Sequence, residues 1–591
     1  MKRNEVDIKY TWDLESIYAT DEEWEREFSA IKSRVGEVSA YEGKLNDIDT
    51  VREFLVLSDG IDCVLSRLYA YAHMRKDENS ARAKYVGMTD RAMQTYSAFA
   101  AASSFVSPEL LSKSEDFLLS LKNDPSLVDY DYQISELIRK KKHVLSEKEE
   151  KLLSMAAVPL GSFSDIFGMA DNVDLPLGSI IVDGKKVKLT HGKYSQCLQH
   201  KDQRVRAKAF STYYRSYEKL LNVICSTYAG SVKKDNFYAR AKEYNDCMEM
   251  KMYNENVPTV VYENLLDSVN SALPVLHRYV ALRKKILGLD TLNMYDMYVS
   301  IASAEISVEF DEAFEMVKRG LAPLGEEYAG LLQQAKDERW MDVYETENKR
   351  SGAYSSGSYG TKPFVLLNYS KTSHDVFTIA HELGHSIHSY YSEKTQPYPK
   401  SSYEIFVAEV ASTVNEVLLL KHLIANAKDK ELKKFLLAYY LDMFRTTLFR
   451  QTMFAEFEKI AHEADDRGEA LTVEYLNGKY YDLNKKYYGK AVKHNSQIAF
   501  EWARIPHFYT SFYVYKYATG ITSAVTIANN ILKDPAYVEK YKKFLSAGSS
   551  ASPYDILKLT GVDLADKEPF KVAMREFEDT LTQLEVAYEE D

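Results

Sequence analysis

Over most of the chain, apolar residues recur at the three-and-four spacing of a helix. Between Asp21 and about Asn123 the run includes Trp24, Phe28, Ile31 and Val35, then Val51, Phe54, Leu55 and Leu57, with few Gly or Pro to interrupt it. Long antiparallel helices bury stripes of this kind. Residues 1–20 read as an extended lead-in, and Pro125 breaks the helical pattern. Arg139 to Lys142 is a basic run at a helix end and reads as solvated. Ser146 with Glu149 three residues on is a capping box that opens a further helix into Leu152 and Leu153. The period changes between Val173 and Leu189. There Ser179–Val182, the pair Asp183-Gly184, and Lys185–Leu189 make a two-residue hairpin. This hairpin is the expected boundary between an N-terminal helical lobe, residues 1–195, and a main body, residues 196–591. Helices resume near His200, run to about Ala335, and return from Ser373 to the C-terminus, including Glu431 to Ile460. The fold class expected is mainly α, with a small β element.

A second break falls at Lys349 to Ser370. Ser351–Gly360 carries Gly352, Gly357 and Gly360, and reads as a mobile loop. Pro363 to Tyr369 is β-like and leads straight into the next helix. An edge strand in that place holds an extended peptide through main-chain hydrogen bonds.

That next helix carries the chemistry. Thr372 with Asp375 is another capping box, and Val376, Phe377, Ile379, Ala380, Leu383 and Ile387 keep the helical period. Within it lies His381-Glu382-Leu383-Gly384-His385. Four residues bring both imidazoles to one face about one turn apart. Two imidazole nitrogens so placed reach one Zn²⁺ at about 2.0–2.1 Å. Glu382, rotated by about 100°, stands beside the ion rather than on it, placed to take a proton from water. A third ligand is needed. The position ten residues after His381 is Tyr391, not histidine, and His388 lies about 10 Å along the axis, better suited to support a ligand from behind or to pack than to ligate. A following helix, expected to start at a Ser401/Glu404 cap, offers Glu404, Glu409 and Glu416. Glu409 and Glu416 share a face at seven-residue spacing while Glu404 points elsewhere. One of the pair would ligate and the other orient a histidine N–H, and spacing leaves open which is which.

His381-Glu-Leu-Gly-His-Ser-Ile-His388 followed by Phe406-Val-Ala-Glu-Val-Ala-Ser-Thr-Val-Asn-Glu416 resembles the thimet-oligopeptidase-type metallopeptidases, most closely their oligoendopeptidase F branch. The resemblance implies zinc ligands His381, His385 and Glu409, one Zn²⁺ per chain, Glu382 as general base and Glu416 outside the ligand set. It also lends meaning to Arg504–Gly520, a segment dense in hydrogen-bond donors that by itself reads as an aromatic core helix. In the family a histidine and a tyrosine from such a segment stabilise the transition state. Here these match His507 and Tyr515, the latter through the Tyr513-x-Tyr515 pair. The resemblance further implies two helical lobes with a deep channel between them that admits oligopeptides.

Composition narrows the alternatives. The 591 residues include 75 basic and 87 acidic side chains, a net charge of −12, and no basic tract, which argues against nucleic acid as a partner. Hydrophobic residues make up 45%, normal for a globular chain with a sizeable core. The 45 tyrosines read mostly as packing residues with a wet hydroxyl. Cys63, Cys197, Cys225 and Cys247 are widely spaced and suggest neither a disulfide framework nor a zinc ribbon. The charged N-terminus shows no signal peptide, no unbroken apolar run approaches a membrane span, and the expected compartment is the cytoplasm. The function expected is a zinc endopeptidase acting on short peptides, with a metallocarboxypeptidase or a helical protein with a structural zinc as alternatives.

Overall fold

In the computed structural model, which describes residues 1–589, the chain forms two compact units, each assembled from three separate stretches. The first takes in residues 1–144, 305–425 and 527–562, and the second 145–304, 426–526 and 563–591. The hairpin expected to mark a lobe boundary lies inside the second unit.

In the first unit the helices Asp21–Arg34, Ile48–Glu78 and Ala83–Ala102 follow the apolar stripes that define them. Trp24, Phe28, Phe54, Leu65 and Leu68 are buried among them, and the Trp24 indole N–H donates to the Leu68 carbonyl at 2.9 Å. Residues 1–20 are less extended than expected, since they carry three single 3₁₀ turns. The segment expected to be a mobile loop contains a strand. Tyr354–Ser356 pairs antiparallel with Phe364–Leu366, which pairs in parallel with Met341–Asp342 on its other side. The glycines do not loosen this segment but mark its turns: Gly352 and Gly360 have φ of 86° and 80°, a region open to glycine at little cost. Phe364, Val365 and Leu366 are fully buried in the middle strand, and Tyr354–Ser356 forms an edge.

Two helices of this unit follow the sheet. Ser373–Thr395 starts on the expected Thr372/Asp375 capping box. Its partner, Ile405–Asn426, starts four residues later than the proposed Ser401 cap. Pro397 precedes a 3₁₀ turn, Tyr398–Lys400, that contains Pro399, and the Ser401 hydroxyl donates back to the Tyr398 carbonyl at 2.8 Å, so it is not available as a cap. The two helices touch at Gly384. A Cβ at that residue would lie 2.6 Å from the Ser412 Cα and 3.0 Å from the Ala411 carbonyl oxygen. Asn415, fully buried, ties the same pair together by donating to the Ala380 carbonyl at 3.0 Å while accepting from the Tyr328 hydroxyl at 3.0 Å.

The second unit contains the 39-residue helix Gln203–Ala241, Thr259–Ile286, Arg450–Asp466 and Val473–Tyr488. The expected continuous helix from Glu431 to Ile460 is instead Lys430–Met443, a π turn at Phe444–Phe449, and then Arg450–Asp466. The hairpin forms as expected, Ser179–Val182 against Lys185–Lys188, with Asp183 and Gly184 both at positive φ. Tyrosine fills this core: Tyr213, Tyr214, Tyr217, Tyr228, Tyr262 and Tyr279 are among the largest fully buried side chains. Among the described residues one stretch, Lys148–Asp174, is long and apolar enough to cross a membrane by length and composition, and it is mostly exposed.

The Gly384 contact is against backbone, so relief requires the helices to move apart. Gly384→Ala is expected to destabilise the protein by about 1–3 kcal/mol and to lower its metal content. A thermal melt paired with metal analysis checks this, and an unchanged midpoint with full metal would refute it.

Candidate metal centre and active site

His381 and His385 project from the helix Ser373–Thr395, whose other face, including Val376, Ile379, Ala380, Leu383 and Ile387, is fully buried. Because Gly384 admits the neighbouring helix so closely, Glu409 stands opposite both histidines. Its Oε2 is 3.4 Å from His381 Nε2 and 3.8 Å from His385 Nε2, and one donor atom from each of the three residues lies within 4.8 Å of the others. Ligands about 2 Å from one tetrahedral ion stand about 3.3 Å apart. The donors present therefore fit a zinc-class cation with small side-chain adjustment.

Glu416, two turns beyond Glu409, has a different place. Its Oε1 lies 2.6 Å from His381 Nδ1. That contact leaves Nε2 as the nitrogen facing Glu409. A carboxylate behind a ligating imidazole fixes its tautomer and ring orientation. Burial opposes a charged His381, but Glu416 and Glu409 together hold its pKa well above the ordinary value. Two carboxylates around a histidine pair make a site attractive to a cation. His385, buried beside the charge of His381, has its pKa pushed down to about 4.

Glu382 is 7% exposed. Burial first of all, and then the nearby Glu409 and Glu416 charges against the opposing pull of His381, push its pKa up to about 7, while the Ser355 backbone amide bonds it. Ser355 belongs to the edge strand, and its hydroxyl also meets the Ser386 hydroxyl at 2.9 Å. The strand and the metal helix are thus joined at the acid itself. His388 plays no part in this group. It is 1% exposed, stacked on Tyr403 with centroids 3.7 Å apart, and burial pushes its pKa down to about 3. Neither of its ring nitrogens has a hydrogen-bond partner, which marks it as a packing residue.

The residues matched from Arg504–Gly520 all lie in the second unit. His507 sits on the 3₁₀ turn Pro506–Tyr509 and is partly exposed. Burial, and then the Arg450 charge, lower its pKa. Tyr515 is fully buried, with its ring 5.4 Å from that of Tyr262 and its hydroxyl donating to Glu255 Oε2 at 3.3 Å. Tyr509 is also buried, its ring stacked on Phe167. The tyrosines beside His507 are others. The Tyr517 hydroxyl is 3.3 Å from His507 Nε2, and Tyr513 stacks on the imidazole with centroids 5.9 Å apart. Both are partly exposed. No helical spacing marked them, since Tyr513 precedes the helix Tyr515–Lys533 that carries Tyr517.

The chain is similar to known proteins along nearly its whole length. Residues 196–576 match the model described as peptidase family M3, and residues 109–176 match that described as oligopeptidase F. The chain is 45% identical to oligopeptidase PepF of Bacillus subtilis (strain 168), over 99% of this chain and 88% of that one. It is 40% identical to an oligoendopeptidase F homolog of Lactococcus lactis subsp. lactis, over 99% and 98%. The crystal structure of oligoendopeptidase F from Enterococcus faecium superposes with a TM-score of 0.75 at 33% identity, covering 97% of this chain and 100% of that one.

The two glutamates are expected to separate by experiment. Glu409→Ala should lose the metal, whereas Glu416→Ala should weaken metal affinity about 10–100-fold, read by competition against a metal-buffering chelator. The opposite order would reverse their roles. His388→Phe removes two unbonded buried nitrogens, and should leave both metal affinity and fold intact.

Proposed function

Since this chain belongs to peptidase family M3, and is a zinc endopeptidase that hydrolyses peptide bonds in oligopeptides, we propose how its own residues divide that work. One catalytic zinc is held by His381, His385 and Glu409, with Glu416 orienting His381 from behind. The observation that carries this reading is the convergence of those three donors, with His381 Nδ1 occupied by a separate carboxylate. Zinc bound there supplies Lewis acidity, lowering the pKa of water at its open position from about 15.7 towards about 7.

Glu382 takes the proton of the attacking water and returns it to the departing amine nitrogen. Its carboxyl is buried and tethered to the Ser355 amide, so it has few other orientations open to it. The substrate backbone lies along the edge strand Tyr354–Ser356 as an added strand, using main-chain groups other than the Ser355 amide, and this mode accepts varied side chains. That mode suits an enzyme acting within oligopeptides. The family resemblance gives His507 and a nearby tyrosine the task of donating to the oxyanion. Tyr517 suits the task better than Tyr515, because Tyr517 is partly exposed beside His507 while Tyr515 is committed to Glu255 in the core.

We place the enzyme in the cytoplasm, where its four unpaired cysteines are in keeping with a reducing compartment. Nucleic acid and membranes are not partners in this reading. The net charge of −12 disfavours the first.

Glu382→Gln is expected to keep its zinc and lose turnover about a hundred- to ten-thousandfold. The assay is cleavage of a fluorogenic peptide blocked at its C-terminus, and a carboxypeptidase would leave such a peptide intact. Tyr517→Phe should lower kcat about a hundred- to thousandfold with Tyr515→Phe near wild type. The reverse ranking would return the role to Tyr515.

A further inference from the structure

We propose that Asp235, Cys247 and His462 form a second metal site, separate from the catalytic one, which takes a divalent cation of the zinc class. All three lie in the second unit. Asp235 is near the end of the helix Gln203–Ala241, Cys247 opens the helix Cys247–Asn254, and His462 is on Arg450–Asp466. They are 3%, 1% and 3% exposed. One donor atom from each lies within 4.8 Å of the other two, and His462 Nε2 is 4.0 Å from Asp235 Oδ2.

The imidazole shows what is missing. His462 Nδ1 lies 2.9 Å from the Glu458 carbonyl. A carbonyl only accepts, so Nδ1 carries the proton. Nε2 then points into the cluster, and it has no hydrogen-bond partner. A buried polar nitrogen left unpaired costs about 1–3 kcal/mol, and a cation held by its lone pair removes that cost. A proton donated to a backbone carbonyl from the far nitrogen is how ligating histidines are commonly oriented. The Phe512 ring, 4.9 Å from the imidazole centroid, packs against it.

The other donors are arranged to match. Lys234 and Lys251 approach Asp235 through Oδ1, at 3.3 and 3.7 Å, which leaves Oδ2 for the cluster. Carboxylate and thiolate together neutralise a dication, and binding releases the thiol proton. Sulfur with imidazole selects zinc or cobalt over magnesium or calcium. Ligand atoms in such a site stand about 3.3–3.8 Å apart, so the trio must close by about 1 Å, within reach of the Cys247 and Asp235 side-chain torsions.

Cobalt distinguishes the two sites, because the catalytic one contains no cysteine. Full-length protein stripped by chelator, reloaded with excess Co²⁺ and desalted is expected to retain two equivalents and to show a thiolate-to-cobalt charge-transfer band in the near ultraviolet. Cys247→Ala should lose the band and one equivalent while keeping peptidase activity. Should that variant fail to fold, the His381→Ala/His385→Ala double variant should hold one equivalent and keep the band. A single equivalent without the band in the full-length protein overturns the proposal, and so does a band that survives Cys247→Ala.

Discussion

The catalytic centre depends on how closely two helices approach each other. Helix axes packed through ordinary side chains lie about 8–10 Å apart, and small residues at the contact allow a closer approach. At Gly384 the backbone of the metal helix comes against Ser412 with no room for a Cβ. Glycine in a helix interior costs about 0.5–1 kcal/mol relative to alanine. Here that cost brings Glu409 to the histidine pair. Asn415, one residue before Glu416, holds the same contact by a buried hydrogen bond to the carbonyl of Ala380, next to His381.

From that contact the roles of the acids follow. Glu409 is level with the histidine Nε2 atoms and Glu416 lies behind His381. Glu382, on the same helix, faces the edge strand and is buried there with a backbone amide for a partner. Three glutamates of one chemistry thus have three surroundings: one between two imidazoles, one at the back of a ring, one in a nearly dry recess. Surroundings, not residue type, separate the roles proposed for them as ligand, orienting group and base.

The second unit repeats the device with other residues. At His462, as at His381, one ring nitrogen is occupied by an oxygen acceptor and the other is turned towards acidic neighbours. Around it the unit is built largely from tyrosines whose rings fill the core and whose hydroxyls reach carboxylates and carbonyls. Tyr262 donates to the Ala455 carbonyl and Tyr279 to Asp442. His507, by contrast, is flanked by Tyr513 and Tyr517, which stay partly exposed.

Local chemistry was legible in the sequence wherever it acts within a turn or two. The capping boxes at Ser146 and Thr372, the Asp183-Gly184 hairpin and the pairing of His381 with His385 depend on neighbours along the chain, and all formed. Glu409 and Glu416 were visible as a pair at seven-residue spacing, but not which of them stands between the two histidines. That depends on where a second helix crosses, which the contact at Gly384 decides. The strand hidden in Ser351–Gly360 and the four-residue delay at Ser401 were likewise set by distant partners, Phe364–Leu366 and the turn at Tyr398. The Tyr517 side chain and the Asp235–Cys247–His462 cluster needed most of all the folded chain. Their members come together over separations up to 227 residues, where periodicity carries no information and only packing in three dimensions fixes which side chains meet.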